Sequence, residues 1–341
     1  MIKESLQKLA ERIDLSRDES RHAMMEIMSG EATDAQIAAF LMGLRQKGET
    51  IEEITGCAQI MRDMVTPVHT QHKIYVDNCG TGGDRKGTFN ISTCAAFIVA
   101  AAGVPVAKHG NRSVSSLCGS ADVLSALGAK IDCSVAISER CLNELNFCFL
   151  FAPLYHRSTR YAAPARQQMG IRTVFNIIGP MTNPALAPCY MMGVFNPEMP
   201  PMIAQVLLNL GVHRALVVHG VDGLDEITLA GDTKVAELCN GKIKEYYIEP
   251  RDFGLTTQSL NTIVGGDALR NAELFREVLS GKSGPHRDIV LMNAAAAILA
   301  GDGAINLQEA FNKASQALDS GSAIKLLNEF ITLSNSTGDL Q

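Results

Sequence analysis

The chain has 341 residues, enough for one large or two ordinary domains, and 46 % of them are hydrophobic, which excludes a disordered chain. A formal charge of −6 argues against nucleic acid or an acidic membrane as the main partner, yet allows a small anionic substrate in a local cationic pocket. No apolar run reaches the ~20 residues of a membrane span, and nine cysteines without a C-x-x-C pair read as reduced, buried thiols of a cytoplasmic protein.

The N-terminal stretch Met1-Ile-Lys-Glu-Ser5 has no basic segment followed by an apolar core, so no secretory signal is expected. Three capping boxes follow: Ser16-x-x-Glu19, Thr33-x-x-Gln36 and Thr50-x-x-Glu53. Each opens an amphipathic segment, and Gly30 and Gly48 stand where the second and third helices should stop. Ile37, Phe40, Leu41 and Leu44 share one helical face. Residues 1–66 therefore read as a bundle of about four short helices. So small a bundle buries little alone and needs the rest of the chain or a second subunit to cover it.

From Lys73 the pattern changes to short apolar runs alternating with helical stretches. Ile74-Tyr-Val-Asp77, Val104-Pro-Val-Ala107, Phe149-Leu-Phe151 and Ala215-Leu-Val-Val-His219 read as strands. Cys94 to Ala102, Ala121 to Leu127, Met202 to Leu210 and Arg287 to Ala300 read as helices, and two more should follow the last. Gly128 and Gly211 stop two of them. Continuous rather than alternating apolar strands imply burial on both faces, as in an α/β sheet.

Four clusters carry chemistry. Asn78-Cys-Gly80-Thr81-Gly82-Gly83-Asp84, with Thr88-Phe-Asn90-Ile91-Ser92-Thr93, lies between a strand and a helix. Its glycines allow close backbone approach to an anion, and the following helix aims its positive end there. It matches neither the Walker A nor the G-x-G-x-x-G spacing, and alone it is equally an ordinary tight turn. Lys108-His109-Gly110-Asn111-Arg112-Ser113-Val114-Ser115-Ser116 supplies cations, an imidazole, an amide and hydroxyls, suited to a phosphorylated sugar. It is read as a polar loop between a strand and the helix opened by Gly119-Ser120-Ala-Asp122. His219-Gly-Val-Asp222-Gly-Leu-Asp225-Glu226 offers carboxylates after a buried strand, natural Mg²⁺ ligands when a diphosphate supplies further oxygens. Arg166, followed by Arg172-Thr-Val-Phe-Asn176 and the bends Gly179-Pro180 and Asn183-Pro184, is a candidate for binding a carboxylate or an ordinary surface arginine.

Taken in order, these motifs resemble the anthranilate phosphoribosyltransferase family over nearly the whole chain. The helical segment Gln36-Ile-Ala-Ala-Phe-Leu-Met-Gly-Leu-Arg45 with Lys47-Gly-Glu-Thr50 belongs to the same likeness. The resemblance implies an α/β fold: a small helical domain, 1–66, that dimerises and lines the cleft, and a large domain, 67–341, with a mixed central sheet. That is the nucleoside phosphorylase-like phosphoribosyltransferase fold. The long acidic motif of the common phosphoribosyltransferase fold is absent.

The resemblance further implies transfer of the phosphoribosyl group of 5-phosphoribosyl 1-diphosphate to anthranilate, in tryptophan biosynthesis, by a cytoplasmic homodimer with two Mg²⁺ ions per monomer. Gly80, Gly83, Asp84, Thr88, Asn90, Ile91, Ser92 and Thr93 would hold the diphosphate and ribose, with Lys108, His109, Gly110, Asn111, Arg112, Ser113, Val114, Ser115, Ser116 and Ser120. Ser92, Asp225 and Glu226 would be the metal ligands. Gly80, Asn111 and Arg166 would meet anthranilate, with His109, His156 and Pro180 lining its path. No dedicated catalytic base is implied; Arg166, Asn111 and His109 stand nearest the chemistry, which would rest on positioning and electrostatics. Many relatives carry a Pro and a large or aromatic residue after the matching histidine, where this chain reads His156-Arg157-Ser158-Thr159-Arg160. Two other readings compete: a pyrimidine nucleoside phosphorylase of the same fold, and a non-enzymatic nucleic-acid binder. The Lys108–Asn111 run and the Asp225-Glu226 pair argue against the first, and the acidic balance against the second.

Overall fold

The N-terminal helices start and stop where side chains satisfy their free backbone groups. In the computed structural model, which describes residues 2–84, 86–113 and 117–336, they are α1 (Ile2–Ala10), α2 (Arg17–Ser29), α3 (Asp34–Lys47) and α4 (Ile51–Asp63). All three expected capping boxes form, at Ser16, Thr33 and Thr50. Gly30 closes α2 at φ 82°, a left-handed conformation that costs a glycine little. Ile37, Phe40, Leu41 and Leu44 are all buried.

The α/β part follows as β1 (Val76–Gly80), α5 (Ile91–Ala101), β2 (Val106–Gly110), α6 (Ser120–Leu127), α7 (Val135–Leu145) and β3 (Phe147–Phe151). Three short helices come next, α8 (Ala152–Tyr155), α9 (Ala163–Met169) and α10 (Val174–Ile178). Then come β4 (Cys189–Gly193), α11 (Met199–Asn209), β5 (Arg214–Gly220), β6 (Thr233–Cys239) and β7 (Lys242–Ile248). The C-terminal helices are α12 (Ala268–Leu279), α13 (Pro285–Ala300), α14 (Leu307–Asp319) and α15 (Ser322–Ser334).

The seven strands form one mixed sheet in the order β3-β2-β1-β4-β5-β6-β7. The first five run parallel, and β6 and β7 are antiparallel. Side chains alternate between two cores. Leu216 and Val218 face α13 and belong to the core that includes α5 and α15, while Ala215 and Val217 face α11 and belong to the core that includes the N-terminal helices. Ala162, Ala165, Val174, Phe175 and Met181 join that second core, so the helical layer draws on two separate stretches of chain.

Two strands lie further along the chain than their apolar runs suggest. β1 begins at Val76 rather than Ile74 and continues through Asn78 and Cys79 to Gly80, in register with β4 from Cys189 to Gly193. β2 begins at Val106 rather than Val104, because Pro105 has no N–H to give the ladder. It runs on to Gly110, so Lys108 and His109 are strand residues and not part of a loop. β3 starts at Phe147, two residues before the expected Phe149. α5 starts at Ile91 rather than Cys94, which puts Ser92 and Thr93 in its first turn.

Four of the five parallel strands end in glycine: Gly80, Gly110, Gly193 and Gly220. Ligands of open α/β sheets bind beyond these carboxyl ends.

Candidate active site

Gly80 and Gly193 are register partners at the ends of β1 and β4. A Cβ on Gly80 would stand 2.8 Å from Asp225 Oδ2, and one on Gly193 would overlap the Asp225 carbonyl oxygen. The acidic loop after β5 therefore lies directly on two glycine strand ends, a contact that any side chain there would disturb. The Gly82 N–H donates to Asp225 Oδ2 at 2.7 Å, joining the glycine loop to the acidic loop. Gly82 and Gly83 hold φ values of 67° and 76°, and the Gly83 carbonyl accepts from the Arg172 guanidinium. Arg172 also stacks on Phe195, 4.3 Å from its ring centre.

Asp225 and Glu226 are half-buried and lie close to each other and to Asp84. Burial, then the nearby Asp84 charge, pushes the Asp225 carboxyl up to about 7 despite the Gly82 bond. Burial, then Asp225, pushes Glu226 up to about 8, against the pull of Lys108 and a Ser92 hydrogen bond. Asp222, the third acid of the loop, is spent on the turn: it accepts from the Leu224 N–H and the Thr228 hydroxyl. Ser92 is the one side chain between Ile91 and Ala100 that is not buried, so Ile91 and Thr93 turn their side chains into the core.

The structure thus brings Ser92, Asp225 and Glu226 together. Among the described residues no three His, Cys, Asp or Glu side chains are disposed to hold a metal by themselves. Crowded carboxylates that raise each other's pKa nevertheless suit a hard divalent cation completed by ligand oxygens, the habit of Mg²⁺ at phosphate sites.

Lys108 is the cation behind this wall. It is buried, and its Nζ donates to the Asn78 carbonyl at 2.6 Å with the Ser92 hydroxyl at 3.4 Å. Burial lowers its pKa, opposed by Asp77 and Glu226. Asp77, fully buried, accepts from the His109 N–H at 3.2 Å and from Asn183 Nδ2 at 2.7 Å. Asn183 also donates to the Ala107 carbonyl, linking β1 and β2 to the Asn183-Pro184 bend. Asp77 and Asn183 escape sequence reading because one sits inside an apolar run and the other resembles a turn residue.

Beyond β2, Asp122 arranges the described part of the next loop. It accepts from the Ser113 and Gly119 N–H groups and from Arg112 Nη1 at 2.8 Å, and these bonds hold its carboxyl below the usual range against burial. The Ser120 hydroxyl donates to the Asn111 carbonyl. A Cβ on Gly110 would overlap the Ser120 hydroxyl. Val114, Ser115 and Ser116 lie outside the described residues. Thr88 bridges Val264, and Asn90 donates to the Cys118 carbonyl and accepts from Asn271 at 3.0 Å. The buried Asn271, on α12, braces both loops and carries no motif that marks it in the sequence.

The remaining wall comes from the stretch between β3 and β4. The His109 and His156 rings stand 5.0 Å apart between centres. Burial pushes His109 well below the ordinary imidazole range, with His156 adding to the shift, and burial pushes His156 down to about 4. Both are neutral at pH 7, and the Nε2 of each is buried without a hydrogen-bond partner. The Pro180 carbonyl accepts from Cys79 at the end of β1. Arg166, on α9, lies 4.6 Å over the Phe175 ring and is half-buried, with its pKa lowered by that burial. Its guanidinium forms no hydrogen bond or ion pair among the described residues. A buried cation without a counter-ion is costly unless an anion arrives to meet it.

Residues 72–324 match a family model described as the α/β domain of a glycosyl transferase family, and residues 3–65 match its helical bundle domain. The anthranilate phosphoribosyltransferase of Moorella thermoacetica is 52 % identical over 331 residues, 97 % of this chain and 98 % of the relative. The crystal structure of the Thermus thermophilus enzyme of that name superposes with a TM-score of 0.93 at 39 % identity, covering 97 % of this chain and 99 % of the other. The Saccharomyces cerevisiae enzyme, solved in complex with PRPP and Mg, superposes with a TM-score of 0.90 at 28 % identity and 98 % of each chain. The chain belongs to the anthranilate phosphoribosyltransferase family.

Proposed function

We propose that this member of the anthranilate phosphoribosyltransferase family transfers the phosphoribosyl group of 5-phosphoribosyl 1-diphosphate to anthranilate, releasing diphosphate, in tryptophan biosynthesis. The observation that carries the reading is Arg166, a half-buried guanidinium with no anionic partner among the described residues. A carboxylate-bearing acceptor supplies that partner. The nucleobase of a pyrimidine nucleoside carries no carboxylate, which disfavours the phosphorylase reading.

In this reading the amine of anthranilate attacks C1 of the ribose as the C1–O bond to diphosphate breaks, the bonding pair leaves with diphosphate, and the amine then loses a proton. An aromatic amine is neutral at pH 7, so no strong base is needed beforehand. Arg166 holds the carboxylate and orients the amine, and His109, His156 and Pro180 shape the path with Asn111 and Gly80. The two neutral imidazoles offer their free Nε2 atoms to the acceptor. The backbone of Gly80–Asp84, the start of α5 and the Lys108–Ser120 stretch receive the phosphoribosyl diphosphate, with Asn90 and Thr88 fixing the loop that carries them. Magnesium held by Ser92, Asp225 and Glu226 with diphosphate oxygens supplies neutralisation of the departing charge. The PRPP and Mg complex of the yeast relative supports this assignment, and the proposal takes two ions per monomer. Positioning and electrostatics then account for catalysis.

The proposal includes a homodimer joined through the helical domain, 1–66, with 67–341 as the catalytic domain, working in the cytoplasm. Exposed Ile13, Met25 and Met42 on that helical layer support a covered surface. The test is direct: anthranilate consumption is followed with phosphoribosyl diphosphate and Mg²⁺, each component omitted in turn. Turnover that persists without phosphoribosyl diphosphate, or cleavage of uridine or thymidine by phosphate, overturns the reading.

A further inference from the structure

From Ile289 to Ala300 every side chain of α13 is buried, and Asn293 is the single polar one among them. A polar side chain in such a run is costly unless its hydrogen bonds are met. All of them are. Asn293 Nδ2 donates to the Ile289 carbonyl at 2.8 Å and to the Ile227 carbonyl at 3.0 Å, and the Ile227 N–H donates to Asn293 Oδ1 at 2.9 Å. One bond is local to the helix. The other two clasp the main chain of a residue 66 positions away, immediately after Glu226. A leucine would suit the helix equally well, so the polarity serves the acidic loop.

The loop is pinned from the opposite side as well. The Asp225 carbonyl rests on Gly193, and its carboxylate accepts from Gly82. Glu226 therefore lies between two fixed points, the glycine strand ends before it and Asn293 after it. The anchor itself is rigid, because α13 packs against β1, β4, β5 and α5.

We infer that Asn293 is a positioning residue that holds the main chain at Glu226–Ile227, so that Asp225 and Glu226 present their carboxylates together to a divalent cation carried with the diphosphate. The inference rests on the metal reading of Asp225 and Glu226. Without the amide, the Ile227 N–H and carbonyl are left buried and unpaired, and the loop shifts to satisfy them. Partners of this outer kind typically affect metal affinity by about 10- to 100-fold.

The test compares wild type, Asn293→Leu, Asn293→Ser and, as a control in the same helix, Leu299→Ala. Binding of Mn²⁺ is titrated by electron paramagnetic resonance with phosphoribosyl diphosphate present and anthranilate absent, so no turnover occurs. The Mg²⁺ concentration for half-maximal rate and the KM for anthranilate are measured separately. Both Asn293 variants should weaken Mn²⁺ binding and raise the Mg²⁺ requirement by about tenfold or more, with the anthranilate KM within about twofold of wild type. If Asn293→Leu does not fold, Asn293→Ser decides, since its shorter hydroxyl leaves Ile227 unclasped. Unchanged Mn²⁺ binding in a folded variant overturns the inference. So does an equal shift in Leu299→Ala at matched melting temperature, or an equal rise in the anthranilate KM. Wild type that binds no Mn²⁺ under these conditions overturns the metal reading itself and the inference with it.

Discussion

Replacing Arg166 by methionine separates function from stability in one step. The substitution keeps the aliphatic stem and deletes the guanidinium. In the ligand-free chain the loss is the contact over Phe175 at 4.6 Å, worth about 0.5–1 kcal/mol at a partly exposed site. Against it stands the relief of a half-buried charge that has no partner, a term of the opposite sign and at least comparable size. The melting temperature should therefore stay level or rise. With anthranilate bound the balance reverses, because removing one member of a buried charge pair costs about 2–5 kcal/mol, or roughly 30- to 4000-fold in affinity. Steady-state kinetics with each substrate varied should show that rise in the KM for anthranilate and little change for phosphoribosyl diphosphate. Scanning calorimetry supplies the second measurement. An anthranilate KM within about threefold of wild type, together with a clear fall in melting temperature, would refute the reasoning and make Arg166 a structural residue.

The acidic pair should show the same opposition of activity and stability. Asp225→Asn with Glu226→Gln removes carboxylates whose raised pKa values mark them as destabilising when charged, so in metal-free buffer at pH 8 the variant should melt higher than wild type while Mg²⁺-dependent turnover is lost. Near-normal turnover would remove both residues from the metal site. Gly80→Ala places a Cβ 2.8 Å from Asp225 Oδ2; it should raise the Mg²⁺ requirement and the KM for both substrates, and unchanged kinetics would show that the loop yields freely. His156 is neutral in the fold, with a pKa near 4 against about 6.5 when unfolded. Below pH 6.5 the unfolded chain therefore binds more protons at this residue, and stability falls as the pH drops toward 4, by about 3 kcal/mol. Asp77, raised to about 6, works in the opposite direction, so the measurement is the difference between wild type and His156→Gln in urea melts from pH 7 to pH 4. Parallel curves would contradict the shift.

Much of this was legible in the sequence, and what was missed has a common cause. Capping boxes and stop glycines mark α2–α4 because their signals are local and made of few residue types. The ends of β1 and β2 differ from the expectation because buried strand positions there carry Asn78, Lys108 and His109, whose polarity reads as loop. Together with Asp77 they tolerate burial through bonds to one another, to Ser92 and to Asn183, an arrangement no local pattern reports. β6 mixes buried and half-buried positions, and β7, at the edge of the sheet, is mostly exposed or half-buried, so neither shows the continuous apolar run of the parallel strands. The glycine loop, the acidic loop and Arg166 were visible as residues of the right chemistry. Asn271 and Asn293 were not, because a lone asparagine in a helix has no signature until its distant partner is known.

The burial of Lys108 changes how the site must be understood electrically. Read as a loop lysine it would be a mobile cation awaiting phosphate. At 2 % exposure, with its Nζ spent on Asn78 and Ser92, it instead serves the carboxylates behind the strand ends. Asp77 and Glu226 thus share the Lys108 cation, while among the described residues Arg112 is paired with Asp122 and Arg172 is committed to the Gly83 carbonyl. The acids of this wall disfavour a polyanion, and a diphosphate docks there more readily if positive charge travels with it or if the acids keep their protons. The raised pKa values of Asp225 and Glu226 and the need for a divalent cation are therefore two expressions of one imbalance, and the glycine strand ends are where the protein leaves room for both the anion and the charge that accompanies it.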